Sequence, residues 1–530
     1  MVSREFWLAR ESRAADSKQD LDPDFVSPLP TLRDNISKLG RPPDAAGAEQ
    51  SKMMTLPPQR IAIIGGGFSG VMTAVNLARL SRQPLDLTII NQGRPMGRGL
   101  AYGTRRMEHL LNVAARNMSA FPDLPDHFAQ WLRTRSEYDT APDLELRERF
   151  IPRMIYGDYL RGLMQHHLQS PAEFVLVRTT FIEGTAVDVR THEGGARIQL
   201  ADGGHVEAGR ILLATGNESP AGPPGSAELR DHPAWIGNPW LSWENRLPAS
   251  GGTVLLLGAG LTTLDAVITL RSMGWQGVMH AVSRQGWLPH SHFRGIEYPE
   301  FPPPGLDLAE LGLKKLLALT ERHCARLRDL GANPAIIVDK MRPHTQRVWQ
   351  QFTRKERLEF TRKHAARWNV LRHRVAPEIY AQLTTAQLTG QLRVHAARIE
   401  SVQADGNQVR AHLSGGKSLA GDLVINATGP NPKFTATSSV LLQNLLRRGL
   451  IAPDDMDMGA RVDGGHAIIG GDGRRSGVLF ALGPLLRGTL WETTAVPELR
   501  GQARRTTEAL LDQPISHPAA EPPPMMEYMI

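Results

Sequence analysis

The chain contains almost no cysteine. Cys324 is the single cysteine among 530 residues, so no disulfide can form within the chain, and a mechanism that passes electrons through a cysteine pair is excluded. It lies in "LKKLLALTERHCARLRDLG", where Leu313, Leu316 and Leu327 share its helical face. This pattern predicts a buried, inert thiol. A lone cysteine also suits a reducing compartment, and we expect a cytoplasmic protein.

Long hydrophobic runs are also missing. A membrane span needs about 20 uncharged apolar residues, whereas the best candidate, "VLLLGAGLTTLDAVITL", is interrupted by glycine and carries Asp265. The first ten residues, "MVSREFWLAR", mix both charges and lead into no apolar segment, which argues against a secretory signal. No helix-turn-helix, zinc-finger or RNA-recognition signature accompanies the basic residues. The sequence therefore predicts neither a membrane nor a nucleic-acid partner.

Four strand-like apolar runs open onto glycine turns: "RIAIIGGG", "RILLATGN", "TVLLLGAG" and "LVINATGP". Helical patterns alternate with them, as is typical of an α/β chain with parallel sheets. In the first run, Gly65, Gly67 and Gly70 form G-x-G-x-x-G, with Ser69 between the last two. A turn of this kind brings a dinucleotide pyrophosphate to the N-terminus of the following helix. The second strand of this unit ends at Asn91, where an acidic residue is usual.

A second copy of the turn lies in "GGTVLLLGAGLTTLDAVITL". Gly258 and Gly260 fill the first two glycine positions, and Thr263 takes the third. The second strand of this unit ends in Ser283 and Arg284. A hydroxyl followed by a guanidinium suits a ribose with a 2′-phosphate, because an acid would repel that group while arginine binds it. The pattern favours NADPH over NADH, with an exposed loop arginine as the alternative.

The two Ala-Thr-Gly stretches accompany the two turns. Each ends an apolar strand, at 214–216 and at 427–429, where small residues allow a close approach of backbone or cofactor. Two nucleotide turns with two such strand ends predict an α/β fold with two Rossmann-like dinucleotide-binding domains, for FAD first and NAD(P)H second. The predicted segments are a disordered extension at 1–58, an FAD-binding domain at 59–248 and 426–512, an NAD(P)H-binding domain at 249–425 with a helical insertion at about 306–388, and a tail at 513–530.

Several longer motifs resemble one family. "GGGFSG", "GRGLAYGT", "HLLNVAARNMSAFPDLPDHFAQWL", "VSRQGWLPHSH", "WNVLRHRVAPE" and "ALGPLLRGTLWETTAVPELRGQA" are together similar to the bacterial two-dinucleotide FAD/NAD(P)-binding flavoproteins, distant relatives of flavin N-hydroxylases and Baeyer–Villiger-type monooxygenases. The resemblance covers about residues 59–510. It implies that FAD is bound by Gly65, Gly67, Ser69, Gly70, Asn91, Arg98, Asn112, Trp491, Thr493 and Thr494, and NAD(P)H by Gly258, Gly260, Thr263, Ser283 and Arg284.

The resemblance also implies a reaction. NAD(P)H would reduce FAD, and O2 would form a flavin hydroperoxide that hydroxylates a small anionic substrate. One member of the family is a urate hydroxylase, and urate is the substrate that we expect. The basic segment 341–380, with ten Lys or Arg against three Glu, offers cations for a flat anion. The candidate catalytic residues are Arg342, Arg372, His373 and Arg374, with His344, Gln346 and Arg347 nearby; surface ion pairing is the alternative for each.

Two other functions remain open at this point. One is N-hydroxylation of an amine or amino acid, which would require an acid near the flavin to hold the ammonium group. The other is a non-catalytic sensor that binds FAD and NADPH. His290 and His292 in "PHSHF" lack a cluster of further ligands at suitable spacing, so we predict no metal site. The oligomeric state does not follow from the sequence.

Overall fold

The computed structural model describes residues 57–93, 95–169, 176–293 and 295–515. The predicted N-terminal extension lies outside the described residues over 1–56, and the predicted tail lies outside them from residue 516 onward. Within the part that is described, no helix combines the length and the apolar character needed to cross a bilayer.

The strands are numbered in chain order. They are β1 Gln59–Ile64, β2 Leu85–Asn91, β3 Val177–Glu183, β4 Ala186–His192, β5 Gly195–Leu200, β6 His205–Ala208, β7 Arg210–Leu213, β8 Trp235–Ile236, β9 Thr253–Leu257, β10 Val278–Ser283, β11 Leu392–Ala396, β12 Ile399–Asp405, β13 Gln408–Leu413, β14 Lys417–Gly421, β15 Leu423–Asn426, β16 Ala467–Ile469 and β17 Arg475–Ala481.

The α-helices follow the same order. They are α1 Phe68–Leu80, α2 His127–Leu132, α3 Asp143–Glu148, α4 Arg153–Leu168, α5 Leu261–Ser272, α6 Gly312–Asp329, α7 Ala335–Met341, α8 Thr345–Gln351, α9 Arg354–Glu359, α10 Ala365–Arg372, α11 Pro377–Leu388, α12 Val440–Arg447, α13 Arg487–Leu490 and α14 Val496–Leu510. A π-helical turn, Phe360–His364, joins α9 to α10.

Two sheets carry the fold. The first has the order β16-β17-β7-β1-β2-β3, with parallel pairing throughout except between β16 and β17. Its strands come from both ends of the chain, because β17 pairs with β7 in register Leu479 with Ile211. The inner strands are uniformly apolar, as strands with both faces covered must be. Ile61 and Ile63 of β1 and Leu212 of β7 are accordingly buried.

The second sheet has the order β11-β10-β9-β15-β8, and all its pairs are parallel. Its edge strand β8 lies at Trp235–Ile236, upstream of the domain boundary predicted at residue 249. The difference has a physical reason. After β7 the chain leaves the first sheet and forms β8, which pairs with β15, before it reaches β9 and the second glycine turn. The second sheet therefore includes residues that precede residue 249. The predicted fold class, two parallel α/β units with a helical insertion, is confirmed.

The helices α6 to α11 lie between β10 and β11 of the second sheet, in the segment predicted as an insert. Helices α6, α7, α8 and α10 contribute to a hydrophobic cluster that includes Trp349, Trp368 and the thiol of Cys324, whereas α11 packs into the core of the second sheet through Ile379 and Leu383. Cys324 is buried and free, and burial raises its pKa. The prediction of a buried thiol is confirmed. Trp491, which follows α13, packs in the same cluster, so the insert is joined to the C-terminal segment by its core.

Candidate functional site

The first glycine turn follows β1 at the carboxyl edge of the first sheet. Gly65 has a φ of +113°, and a methyl group there would collide with the carbonyl oxygen of Ala214, the start of the first Ala-Thr-Gly stretch. A side chain at Gly70 would collide with the carbonyl oxygen of Gly65. Both glycines are therefore required by the fold itself. Gly67 precedes α1, and Ser69 lies in its first turn, close to Gly483.

Asn91 supports this turn from the end of β2. Its side-chain oxygen Oδ1 accepts a hydrogen bond of 3.0 Å from the backbone N–H of Gly66. A side chain at Gly66 would approach Asn91 Cγ to 2.9 Å, which shows how tightly the amide lies beneath the turn. The structure thus gives Asn91 a role in holding the turn, a role that the sequence did not indicate.

Helix α14 runs beside α1 in the same direction. Thr507 Oγ1 lies 3.5 Å from the backbone oxygen of Thr73, and Gln513 Nε2, just past the end of α14, lies 3.1 Å from the backbone oxygen of Leu80. The N-termini of both helices therefore face the carboxyl edge of the first sheet, where partial positive charge favours an anionic group. Thr493, just before α14, is fully buried, and its hydroxyl has no hydrogen-bond partner within the described residues.

The second glycine turn repeats the first. Gly258 has a φ of +135°, and a methyl group there would collide with the carbonyl oxygen of Ala427, which begins the second Ala-Thr-Gly stretch. Gly260 differs, because no atom lies within 4 Å of where its side chain would be. Thr263 occupies the third position and is buried. The turn therefore keeps open space above Gly260, where a dinucleotide pyrophosphate requires it.

Ser283 and Arg284 end β10 beside this turn. The Ser283 hydroxyl accepts a 3.1 Å hydrogen bond from the backbone N–H of Gly286 and so closes the loop after the strand. Arg284 is exposed, and its guanidinium has no ion pair or hydrogen bond among the described residues. A free guanidinium at this position can receive a phosphate without first breaking a pair.

The two nucleotide units contact each other through ion pairs and hydrogen bonds. Arg153 at the start of α4 forms a two-pronged ion pair with Asp265 of α5, with distances of 2.7 and 2.9 Å. His292 Nε2 lies 2.8 Å from the backbone oxygen of Asn112. Burial lowers the pKa of His292 to about 4, so the neutral ring donates this bond. Within the first unit, the Arg98 side chain is paired with Asp158 of α4.

Two of the predicted catalytic residues meet at one carboxylate. Arg342 binds Glu498, in the first turn of α14, through Nε at 2.7 Å and Nη2 at 3.2 Å. Arg372 Nη2 contacts the same carboxylate at 3.2 Å, and Arg372 Nε lies 3.6 Å from Glu492. Burial alone would raise the pKa of Glu498, but the charges of Arg342 and Arg372 outweigh it and lower the pKa to about 2. The carboxylate is ionised at any physiological pH.

The other two candidates are also engaged. Arg374 pairs with Asp339 of α7 at 2.5 and 2.6 Å, and its guanidinium lies over the ring of Phe293. Burial, with the charge of Arg372 in addition, lowers the pKa of His373 to about 4. Carboxylates of the protein pair with Arg342, Arg372 and Arg374, which agrees with the ion-pairing alternative, and contact of these cations with an anionic substrate stays a prediction. The physical reason is burial: a cation that leaves water requires a partner.

Of the residues that flank these candidates, Gln346 contacts the C-terminal segment, and Arg347 pairs outside it. Gln346 Nε2 donates a 2.8 Å hydrogen bond to the backbone oxygen of Glu492, and Gln502 of α14 donates another of 3.0 Å. Arg347 forms an ion pair with Asp307 at the surface. His290 is exposed, and no group of His, Cys, Asp or Glu side chains suited to a metal ion occurs in the described part of the chain.

Trp491 occupies a strained position. Its φ of 63° and ψ of −60°, together with a 2.8 Å hydrogen bond from the Glu492 N–H to the Leu490 oxygen, define a γ-turn of the rare form. Its ring packs on Trp349 at 4.8 Å and against Phe360 at 5.3 Å. The side chain therefore faces the insert and is 9% exposed, which leaves little of it to contact a flavin. Of the three residues of this segment that were predicted to bind FAD, Trp491 and Thr493 are buried and Thr494 is exposed.

Sequence reasoning missed the acidic partners of the site. Glu492 and Glu498 stand in the motif "LWETTAVPEL", but nothing in their local sequence marks them as partners of the basic segment. An acid in the first turn of a helix suggests only a favourable interaction with the helix dipole. No local pattern connects Glu498 with Arg372, since 126 residues separate them.

Comparisons with known proteins bear on the fold. Residues 62–218, which include the first glycine turn, Asn91 and the first Ala-Thr-Gly stretch, match the family model described as FAD-NAD(P)-binding. A search of curated protein sequences gave no match.

Solved structures extend the likeness to most of the chain. The chain is similar to the ornithine N-hydroxylase of Kutzneria sp. 744, solved with reduced FAD, NADP+ and L-ornithine, with 15% identity, a TM-score of 0.55, and coverage of 86% of this chain and 99% of that one. The reduced ornithine hydroxylase of Pseudomonas aeruginosa gives the same identity and coverages with a TM-score of 0.57. The FAD-bound cadaverine monooxygenase of Erwinia amylovora is 14% identical with a TM-score of 0.53, and the match covers 87% of this chain and 97% of that one. At these identities, the likeness establishes a shared fold.

Proposed function

We propose that the protein is an FAD-dependent monooxygenase that uses NADPH and O2 to hydroxylate the amino nitrogen of a small molecule. The observation that carries the proposal is the duplicated turn. Gly65 and Gly258 each have a positive φ and each lie against the carbonyl oxygen of an Ala-Thr-Gly strand end. Both turns belong to a fold that the chain shares with flavin N-hydroxylases over 86% of its length.

The residues at the first turn fit FAD. Gly65, Gly67 and Gly70 give the backbone approach that a pyrophosphate requires, with Ser69 in the first turn of α1. Thr493 offers a buried hydroxyl without a partner within the described residues. Thr494 is exposed at the N-terminal side of α14, whose N–H groups favour negative charge. Arg98 is paired with Asp158, and His292 binds the backbone oxygen of Asn112, so the Asn112 side chain rather than this oxygen would contact the same cofactor.

The chain's own residues would shape the reaction in two ways. When bound, FAD supplies electron transfer from NADPH and the activation of O2. The ion pairs of Arg342 and Arg372 with Glu498 hold the insert against the start of α14, and the contact of Trp349 with Trp491 adds an apolar layer beside them. Exclusion of water at such a junction favours transfer of oxygen to the substrate over release of hydrogen peroxide.

The substrate class rests on two considerations. Relatives of the same fold act on ornithine and cadaverine, both of which carry a primary amine. The basic residues from which urate was predicted are paired with carboxylates of the protein. Urate is the second candidate. One observation favours it: Arg487, beside Trp491, is a cation without a carboxylate hydrogen-bonded to it among the described residues.

The assay for this function compares four compounds. Purified protein loaded with FAD is mixed with NADPH and air in the presence of L-ornithine, L-lysine, cadaverine or urate. We expect an amine to stimulate NADPH oxidation and to yield a hydroxylamine in amounts that match the NADPH consumed. Loss of urate absorbance coupled to NADPH oxidation would instead select the second candidate. A chain that binds FAD but oxidises NADPH equally with and without every compound would refute both.

The choice of nicotinamide nucleotide depends on Arg284. Because this guanidinium is exposed and unpaired within the described residues, we assign it to the 2′-phosphate of NADPH. Replacement by alanine (Arg284→Ala) should raise the KM for NADPH about 10- to 100-fold, since a charge-assisted contact contributes about 1.5–3 kcal/mol. The KM for NADH should change less than about twofold. The measurement is steady-state kinetics with both nucleotides, and the matched control is Arg393→Ala on the neighbouring strand β11. An equal effect on both nucleotides would remove Arg284 from the phosphate site.

A further inference from the structure

Arg487 differs from the other half-buried or buried arginines around the junction of the insert and the C-terminal segment. Its neighbours all have partners in the protein. They are Arg342 and Arg372, which bind Glu498, Arg374, which binds Asp339, and Arg500, which donates to the backbone oxygen of Ser119. Within the described residues, Arg487 makes neither an ion pair nor a hydrogen bond through its guanidinium. Arg487 is half-buried, and none of its guanidinium nitrogens is among the fully buried atoms that lack a partner in the described part of the chain, so its N–H groups are open to a ligand that arrives from solvent.

The position of Arg487 is well defined. It opens α13, directly after the short turn Gly483–Leu486, whose first glycine lies beside Ser69 of the first nucleotide turn. Its Cζ atom lies 5.6 Å from the ring centre of Trp491, a cation–π arrangement that fixes the direction of the guanidinium. The indole N–H of Trp349 binds the backbone oxygen of Gly488 at 2.8 Å and anchors the helix.

The surroundings of Arg487 favour an anion. Burial lowers the pKa of the guanidinium, and Glu492 offsets this only through longer-range attraction. Glu492 cannot turn fully to Arg487, because its carboxylate accepts a hydrogen bond from Trp368 Nε1 at 3.3 Å and lies 3.6 Å from Arg372. The hydrogen-bonding edge of Arg487 is therefore left for a group from outside the chain.

We propose that Arg487 binds an anionic group of the substrate, so that the compound hydroxylated by this protein carries a carboxylate or another oxyanion and is not a simple diamine. This inference rests on the proposed function and narrows it. A planar guanidinium with parallel N–H groups suits a carboxylate, such as that of an amino acid, or the delocalised oxyanion of a flat heterocycle. Both share the same chemistry at Arg487, and they differ in the nitrogen or carbon presented for oxidation.

The test measures binding, separately from turnover. Calorimetric titrations of the FAD-loaded protein with L-ornithine, L-lysine, urate and cadaverine are compared for wild type, Arg487→Gln and Arg487→Lys. Among the three compounds that carry an anionic group, L-ornithine, L-lysine and urate, we expect Arg487→Gln to weaken binding of the one that the wild type prefers by about 10- to 100-fold. Arg487→Lys should restore part of this loss, because it keeps the charge and loses the parallel contacts. Cadaverine, which has no anionic group, should be bound equally by all three proteins.

The matched control is Arg357→Gln. Arg357 also lies over a tryptophan, at 5.5 Å from the ring centre of Trp349, but its guanidinium donates to the backbone oxygens of Trp349 and Gln350. We expect this control to leave the binding of every compound unchanged. The inference is overturned if Arg487→Gln binds L-ornithine, L-lysine and urate as the wild type does, including the case in which none of the three binds.

A role of Arg487 in binding FAD, rather than the substrate, would also be detected. If the dissociation constant for FAD, measured by quenching of flavin fluorescence, rises more than about tenfold in Arg487→Gln, the guanidinium serves the cofactor and the inference is wrong. Failure of the proposed function has another signature. In that case at least one of L-ornithine, L-lysine and urate binds more weakly to Arg487→Gln than to the wild type, but no compound yields a hydroxylated product.

Discussion

Replacement of Gly260 by alanine (Gly260→Ala) is expected to raise the KM for NADPH about 10- to 100-fold and to leave the melting temperature unchanged. The position has an ordinary φ of −88°, and no protein atom lies within 4 Å of the added methyl group. The fold therefore tolerates the substitution. A bound pyrophosphate would not, because the second glycine of the turn lets the backbone approach the phosphates, and overpacking by a methyl group costs about 1–3 kcal/mol. Steady-state kinetics and thermal unfolding provide the measurement.

A control separates this effect from the general cost of alanine. Gly464→Ala, in a loop far along the sequence, also meets no atom within 4 Å, and it should change neither the KM nor the melting temperature. Gly258→Ala is unsuitable, since its methyl group would collide with the backbone of Ala427. An unchanged KM in Gly260→Ala, with the nucleotide still used, would show that NADPH binds elsewhere.

Replacement of Glu498 by glutamine (Glu498→Gln) should lower the free energy of unfolding by about 3–5 kcal/mol. The substitution keeps the size of the side chain but leaves Arg342 and Arg372 without the charge that compensates for their burial. Glu492 cannot replace it, because burial raises its pKa and weakens it as an anion. Urea denaturation of the FAD-free proteins measures the change without a contribution from cofactor binding.

The control for this prediction is a surface pair. Glu300 contacts Arg326 at 3.3 Å, and both side chains are largely exposed, so Glu300→Gln should cost less than about 1 kcal/mol. A loss of similar size in both variants would mean that the Glu498 cluster is solvated and does not hold the insert to α14.

The nucleotide turns could be predicted from the sequence because their requirements are local. The order strand, glycine turn and helix fixes the positions of Gly65 and Gly258, each within a few residues of its own strand and helix. The pairing of each turn with an Ala-Thr-Gly strand end follows from the rule that the carboxyl ends of parallel strands share one edge. Both features are consequences of backbone geometry.

The candidate catalytic residues could not be predicted in the same way. Composition indicates a basic segment at 341–380, but the charge that each cation faces depends on which distant carboxylate is buried beside it. Glu498 lies 156 residues from Arg342, and the folded chain brings them to 2.7 Å. For the same reason, nothing in the sequence around Arg487 distinguishes it from the other arginines.

Anaerobic titration with NADPH tests the central claim, that the two glycine turns bind FAD and NADPH in one working unit. The purified protein, supplied with FAD and freed of excess, should retain one flavin per chain. Its visible flavin absorbance should then bleach completely at one equivalent of NADPH. A protein that retains no flavin, or whose bound flavin stays oxidised with excess NADPH, would contradict the account.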